Sequence, residues 1–123
     1  MEKIKNFTDL IVWQKGHKLV LDIYKKTGQF PSTEVFSLTN QLRRAAVSIT
    51  SNIAEGFSRK THKEKLQFYF MALGSLSEVQ NQLLIARDLN YLDAGLFDQM
   101  TLVSIEISKM LNGLMKAIRS ANL

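Results

Sequence analysis

The chain has no cysteine, one proline and six glycines in 123 residues. Without cysteine there is no disulfide and no thiolate metal site, so a reducing, cytoplasmic compartment is the expectation. With so little proline and glycine, long helices are permitted and their breaks should be few. No stretch approaches the ~20 consecutive apolar residues of a membrane span. Met1 to Asn6 contains no apolar run that could act as a signal-peptide core. A soluble protein with no membrane role is expected. No segment alternates apolar and polar residues with a period of two, so strands are not expected either.

What is present is a globular composition, 46% apolar and 22% charged, rather than a disordered one. This length gives one domain, which buries roughly two thirds of the surface its unfolded chain exposes.

Apolar residues recur at steps of three and four along four segments, at about 8–27, 33–57, 62–89 and 93–119. In the first, Thr8 or Asp9 is the expected cap, and Leu10, Trp13, His17, Val20, Leu21 and Tyr24 form the stripe. Gly28 is placed to close it in a left-handed conformation, and Phe30-Pro31-Ser32 is the clearest break. The second helix begins at Ser32 or Thr33, is re-primed near Ser37, and buries Leu38, Leu42, Ala45, Ile49 and Ile53. Gly56 is its expected terminator. Thr61 with Glu64 forms a capping box for the third helix, which at ~1.5 Å per residue is about 40 Å long. Asp93 caps the fourth, whose stripe is Leu96, Met100, Val103, Ile107, Met110, Leu114 and Ile118. Short connections favour antiparallel neighbours. The reading is all-α: a single up-down antiparallel four-helix bundle over residues 1–123. Around Leu66 to Leu76 the third helix is apolar on more than one side, which predicts self-association.

The formal charge is +5, and it is unevenly spread. Residues 1–65 hold 12 Lys and Arg against 6 Asp and Glu, whereas residues 66–123 hold 4 against 5. Arg59, Lys60, Lys63 and Lys65 crowd the junction of helices two and three, with His62 among them. Lys63 and Lys65 flank a helix N-terminus, where phosphate is favoured. Lys15, Lys18, Lys25 and Lys26 could widen the basic surface. Such asymmetry suits a polyanion partner; a merely solvated basic face is the alternative.

Enzyme signatures are missing. There is no P-loop, no Gly-x-Gly-x-x-Gly and no Gly-x-Ser-x-Gly. A bundle di-metal site needs Glu-x-x-His pairs, and neither His17 nor His62 stands three residues after a glutamate. No cofactor, metal or catalytic residue is expected. The most informative polar set is Arg44, Ser48 and Asn52, spaced by four, with Glu55 following. Glu78 lies in Gly74-Ser75-Leu76-Ser77-Glu78, where Gly74 costs ~1 kcal/mol unless a close helix crossing needs the space. The structural reading pairs Arg44 with Glu78 or Glu55 and leaves Ser48 and Asn52 to satisfy the remaining hydrogen bonds. Trp13 and Tyr24 read as core anchors, or as a stacking platform for bases.

Several segments together resemble one family. They are Phe7-Thr8-Asp9-Leu10-Ile11-Val12-Trp13-Gln14-Lys15, Phe30-Pro31 with Glu34, and Leu38 to Ile49 with its Arg43-Arg44-Ala45-Ala46-Val47-Ser48-Ile49. Ser51-Asn52-Ile53-Ala54-Glu55-Gly56 and Gly74 to Glu78 continue the match. The chain resembles the four-helix bundle proteins encoded by intervening sequences of bacterial 23S rRNA genes, related to the accessory variability determinant of diversity-generating retroelements. The resemblance implies a ring-like homopentamer. The retroelement relatives bind nucleic acid and a reverse transcriptase through basic surfaces. No catalytic residue carries over, and Arg44, Ser48, Asn52, Glu55, Gly56 and Glu78 match the motif as architectural positions.

Two functions follow as expectations. One is a non-enzymatic oligomer that binds structured RNA or RNA–DNA through Arg59, Lys60, Lys63 and Lys65, with Lys15, Lys18 and Arg43 secondary. The other is a homo-oligomeric scaffold for a partner protein, with no direct nucleic-acid role.

Overall fold

In the computed structural model, which describes residues 3–121, four helices follow one another: α1 (Ile11–Thr27), α2 (Leu38–Ser58), α3 (His62–Asp88) and α4 (Ala94–Ala121). Single 3-10 turns stand at Phe7–Asp9 and Ser32–Glu34. No strand occurs among the described residues.

Named contacts give the topology. Gly16 of α1 faces Thr50 of α2, while Thr27, further along α1, meets Arg43, earlier on α2. Ser48 and Gly56 of α2 meet Ser75 and Tyr69 of α3 in the same inverted order. Gln80 and Arg87 of α3 meet Ser104 and Phe97 of α4 likewise. α4 closes on α1, completing an up-down antiparallel four-helix bundle around one core.

Helix boundaries follow local chemistry. Asn6, not Thr8 or Asp9, opens the chain's first turn. Its side chain accepts from the Thr8 N–H, and Asp9 reaches back to the Lys5 and Asn6 N–H groups at 2.9 and 3.2 Å. Those two bonds, Lys5 first, hold the Asp9 carboxyl below its ordinary pKa. Leu10 then returns to extended backbone, so α1 starts at Ile11 without a side-chain cap. The second helix starts at Leu38 rather than Ser32 or Thr33, since Ser32–Glu34 forms only a 3-10 turn. Thr61 caps α3 by accepting from the Glu64 N–H at 3.1 Å, and Asp93 caps α4 by accepting from Leu96 at 2.8 Å.

Gly28 does not adopt the left-handed conformation expected of it; its φ is −61°, and α1 ends by tightening to i→i+3 bonds before Pro31. The left-handed residue is Asn90 (φ 63°), between α3 and α4. Tyr91 N–H donates to Ala86 and Asn90 N–H to Arg87, the paired bonds that satisfy the last carbonyls of a helix.

The α2 stripe is buried as its spacing predicts: Leu38, Leu42, Ala45, Ile49 and Ile53 all lie in the core. The α1 stripe is rotated. Val12, Gly16, Leu19, Ile23 and Thr27 face inward, Leu10, Trp13 and Val20 sit at the edge, and His17, Leu21 and Tyr24 are exposed. Gly16 is the reason: a Cβ there would lie 3.0 Å from the Thr50 methyl, so α1 approaches α2 through its smallest residue. On α4 the buried line is Phe97, Met100, Ser104, Ile107, Leu111 and Met115, with Leu96, Val103, Met110, Leu114 and Ile118 beside it.

Two glycines exchange roles. Gly56, expected to end α2, is inside the helix and buried, and a Cβ on it would stand 2.6 Å from the Tyr69 ring. Gly74, whose helix cost only a close crossing would offset, has no atom within 4 Å of its Cβ position. Tyr69 is only 2% exposed and cannot swing aside, so Gly56→Ala overpacks the core. We expect it to lose about 1–2 kcal/mol net of alanine's helix preference. Gly74→Ala should gain about 0.5–1 kcal/mol. Urea unfolding of both variants checks the contrast.

Candidate nucleic-acid interface

The α2–α3 junction is short because α2 ends in extended backbone at Arg59 and Thr61 immediately starts α3. Its cations divide into two pairs. Arg59 is folded onto the protein: its guanidinium lies 3.6 Å from both Glu55 and Glu64 and 4.7 Å over the Phe68 ring. Lys65 donates to the carbonyls of Phe57 (2.7 Å) and Gly56 (3.3 Å), closing the C-terminus of α2 from the neighbouring helix. Partial burial lowers its pKa. Lys60 and Lys63 are exposed and form no ion pair among the described residues.

The secondary cations are more dispersed. Lys15 pairs with Glu106 of α4 at 3.0 Å, and Lys18 with Asp22 at 2.9 Å. Arg43 donates to Thr27 Oγ1 (2.8 Å) and the Tyr24 carbonyl (3.2 Å) and covers the Tyr24 ring. It serves the end of α1, and about 24 Å of α2 separates it from Arg59. The seven cations read from the sequence therefore do not form one patch, and two of the four at the junction are available to a ligand. Trp13, rather than lying bare, stacks on His17 and meets the Phe7 edge. Tyr24 is not the core anchor its place in the stripe suggested.

The polar set on α2 does converge, but differently from the expected pairing. Ser48 Oγ meets Ser75 Oγ at 2.7 Å, and Asn52 Nδ2 donates to the Ser48 carbonyl and hydroxyl at 2.9 and 3.1 Å. Glu55 pairs with Arg59, not Arg44. Arg44 and Glu78 are both exposed and join no ion pair among the described residues. They line an open groove of about 570 Å³ between α2 and α3, with Ser48, Ser75, Gln82 and Phe36. Phe36 and Gln82 belong to none of the stripes or polar sets that the sequence displays. The signal for Phe36 was an apolar pair, Val35-Phe36, stranded in a loop with no stripe to join; Gln82 had none.

No group of three or more His, Asp or Glu among the described residues could hold a metal ion, and no described helix is long and apolar enough to cross a membrane. A family model described as 23S rRNA-intervening sequence protein matches residues 8–113. The fold is similar to the crystal structure of a protein with unknown function from the S23 ribosomal protein family of Bacteroides thetaiotaomicron VPI-5482. The TM-score is 0.80 at 20% identity, covering 86% of this chain and 96% of that one. No curated protein matches the chain.

The division of the junction cations has a direct check. Lys65→Met keeps the aliphatic stem but removes the donor to two carbonyls, and should cost about 1 kcal/mol. Lys60→Met and Lys63→Met should each change stability by less than about 0.5 kcal/mol. Chemical unfolding of the three variants distinguishes them.

Proposed function

Given that this chain belongs to the 23S rRNA-intervening sequence protein family, we propose that it is a non-enzymatic, cytoplasmic, self-associating bundle that holds structured RNA or RNA–DNA through phosphate contacts. The observation that carries this reading is unspent positive charge. Of the sixteen Lys and Arg side chains, Lys15, Lys18, Arg59 and Arg87 enter ion pairs and Arg43 and Lys65 are tied to carbonyls, whereas Lys60 and Lys63 have neither kind of partner among the described residues. Lys60 and Lys63 project at the turn where α3 begins, near backbone N–H groups that favour an anion. Assembly multiplies the field: each copy adds a formal +5. Contacts of this kind orient a backbone without reading its sequence.

Self-association has its own support. Phe70, Met71, Leu84 and Ile85 stand exposed along α3, a helix whose opposite side fills the core. The second reading, a homo-oligomeric scaffold for a partner protein, draws on the same exposed residues. It calls for RNA binding no stronger than charge alone provides, and a pull-down that survives nuclease.

Sedimentation at micromolar concentration should give a multiple of the 14.0 kDa chain mass, five copies being the expected number. Met71→Glu with Ile85→Glu should drive it towards the monomer. Binding of a structured RNA and a matched duplex DNA should fall steeply as salt rises. A Lys60→Ala, Lys63→Ala variant of unchanged mass should lower the slope of log K against log salt by about 2 per engaged copy. Binding equal to that of an unrelated protein of the same charge would sink the nucleic-acid reading in favour of the scaffold.

A further inference from the structure

The groove between α2 and α3 is bordered by side chains that the fold itself does not use. Phe36, on the turn before α2, is 92% exposed. It lines the groove together with Arg44 and Glu78, which are exposed and have no ion-pair partner among the described residues. Gln82 lines it too. It is 7% exposed, and its amide oxygen has no hydrogen-bond partner. The Ser48–Ser75 hydroxyl pair completes that lining.

These features select a ligand. At about 570 Å³ the groove is in the range of small-molecule sites. Its lining is polar and carries one charge of each sign, unlike the charge-depleted core of a protein interface. A free polyanion backbone has no use for Glu78. An aromatic face beside a guanidinium, over an acceptor-bearing lining, suits a planar base attached to a phosphate. The Gln82 amide oxygen has no donor and the Glu78 carboxylate accepts several; the amino group of guanine, adenine or cytosine carries two N–H donors, whereas uracil has no amino group and offers a single N3–H.

We propose that this groove takes up one unpaired, amino-bearing nucleotide of an RNA: the base stacks on Phe36 and donates to Glu78 and Gln82, while Arg44 holds the adjoining phosphate. The site rests on the nucleic-acid reading above but is separate from Lys60 and Lys63, which grip the backbone at the α2–α3 turn.

The experiment compares the full chain binding a duplex RNA and the same duplex carrying one bulged guanosine or one bulged uridine. The guanosine bulge should bind about tenfold tighter than the plain duplex, and the uridine bulge only slightly tighter. Phe36→Ala and Arg44→Ser should each remove most of that preference without changing duplex affinity; both residues are exposed, so folding is not at stake. Lys60→Ala with Lys63→Ala should weaken all three RNAs alike. Equal affinity for the three RNAs, or a preference unchanged in Phe36→Ala and Arg44→Ser, overturns the groove and leaves the backbone reading standing. No binding beyond that of a charge-matched protein overturns both. A Phe36→Ala variant that loses its oligomeric mass assigns the groove mouth to a second copy of the chain, and also overturns the proposal.

Discussion

The methyl group that Gly56 lacks is the constraint from which the rest of the bundle is set. Its absence lets the Tyr69 ring occupy the space where a Cβ would lie at 2.6 Å. α2 and α3 are thereby drawn together at the end where a three-residue turn joins them. The closeness propagates: two turns back along α2, Ser48 is within hydrogen-bond distance of Ser75. It also brings the Lys65 ammonium of one helix to the last carbonyls of the other, so that a cation complements the negative end of α2. Arg59 packs over Phe68, the residue next to Tyr69, for the same reason.

Features that three or four consecutive residues determine were legible in the sequence. Thr61 with Glu64, and Asp93, cap where their patterns say they should. The α2 stripe was legible because all five of its residues are apolar. The α1 face was not, because Gly16 and Thr27 interrupt the inward line while Leu21 and Tyr24 offer a more hydrophobic decoy. Which face turns inward depends on the neighbour that packs there, and Thr50 is a property of α2. Charge pairing failed to be legible for a related reason. The basic run was plain, but the partners of Arg59, Arg43 and Lys65 include carbonyls and rings whose positions only the assembled fold supplies.

Positive charge in this protein consequently has two uses. Some cations close helix ends and are spent on the fold: Lys65 on α2 and Arg43 on α1. Others, such as Lys60, Lys63 and Arg44, are held on rigid helices or tight turns but given nothing to bind among the described residues. A composition-level excess overstates the surface available to a partner, and a count of ion pairs alone would miss the cations tied to carbonyls.

The order of packing along the chain has a kinetic consequence. α2 and α3, joined by Arg59 to Thr61, share the most extensive helix contact in the molecule, so the largest gain in burial follows the smallest loop-closure entropy. α1 and α4 each add to a neighbour adjacent in sequence, and among the helix pairs only the α1–α4 seam joins helices distant in the chain. Such a contact map belongs to rapid folders. The α2–α3 hairpin can form while its flanking helices are still searching, which favours early closure of the motif-bearing half of the protein.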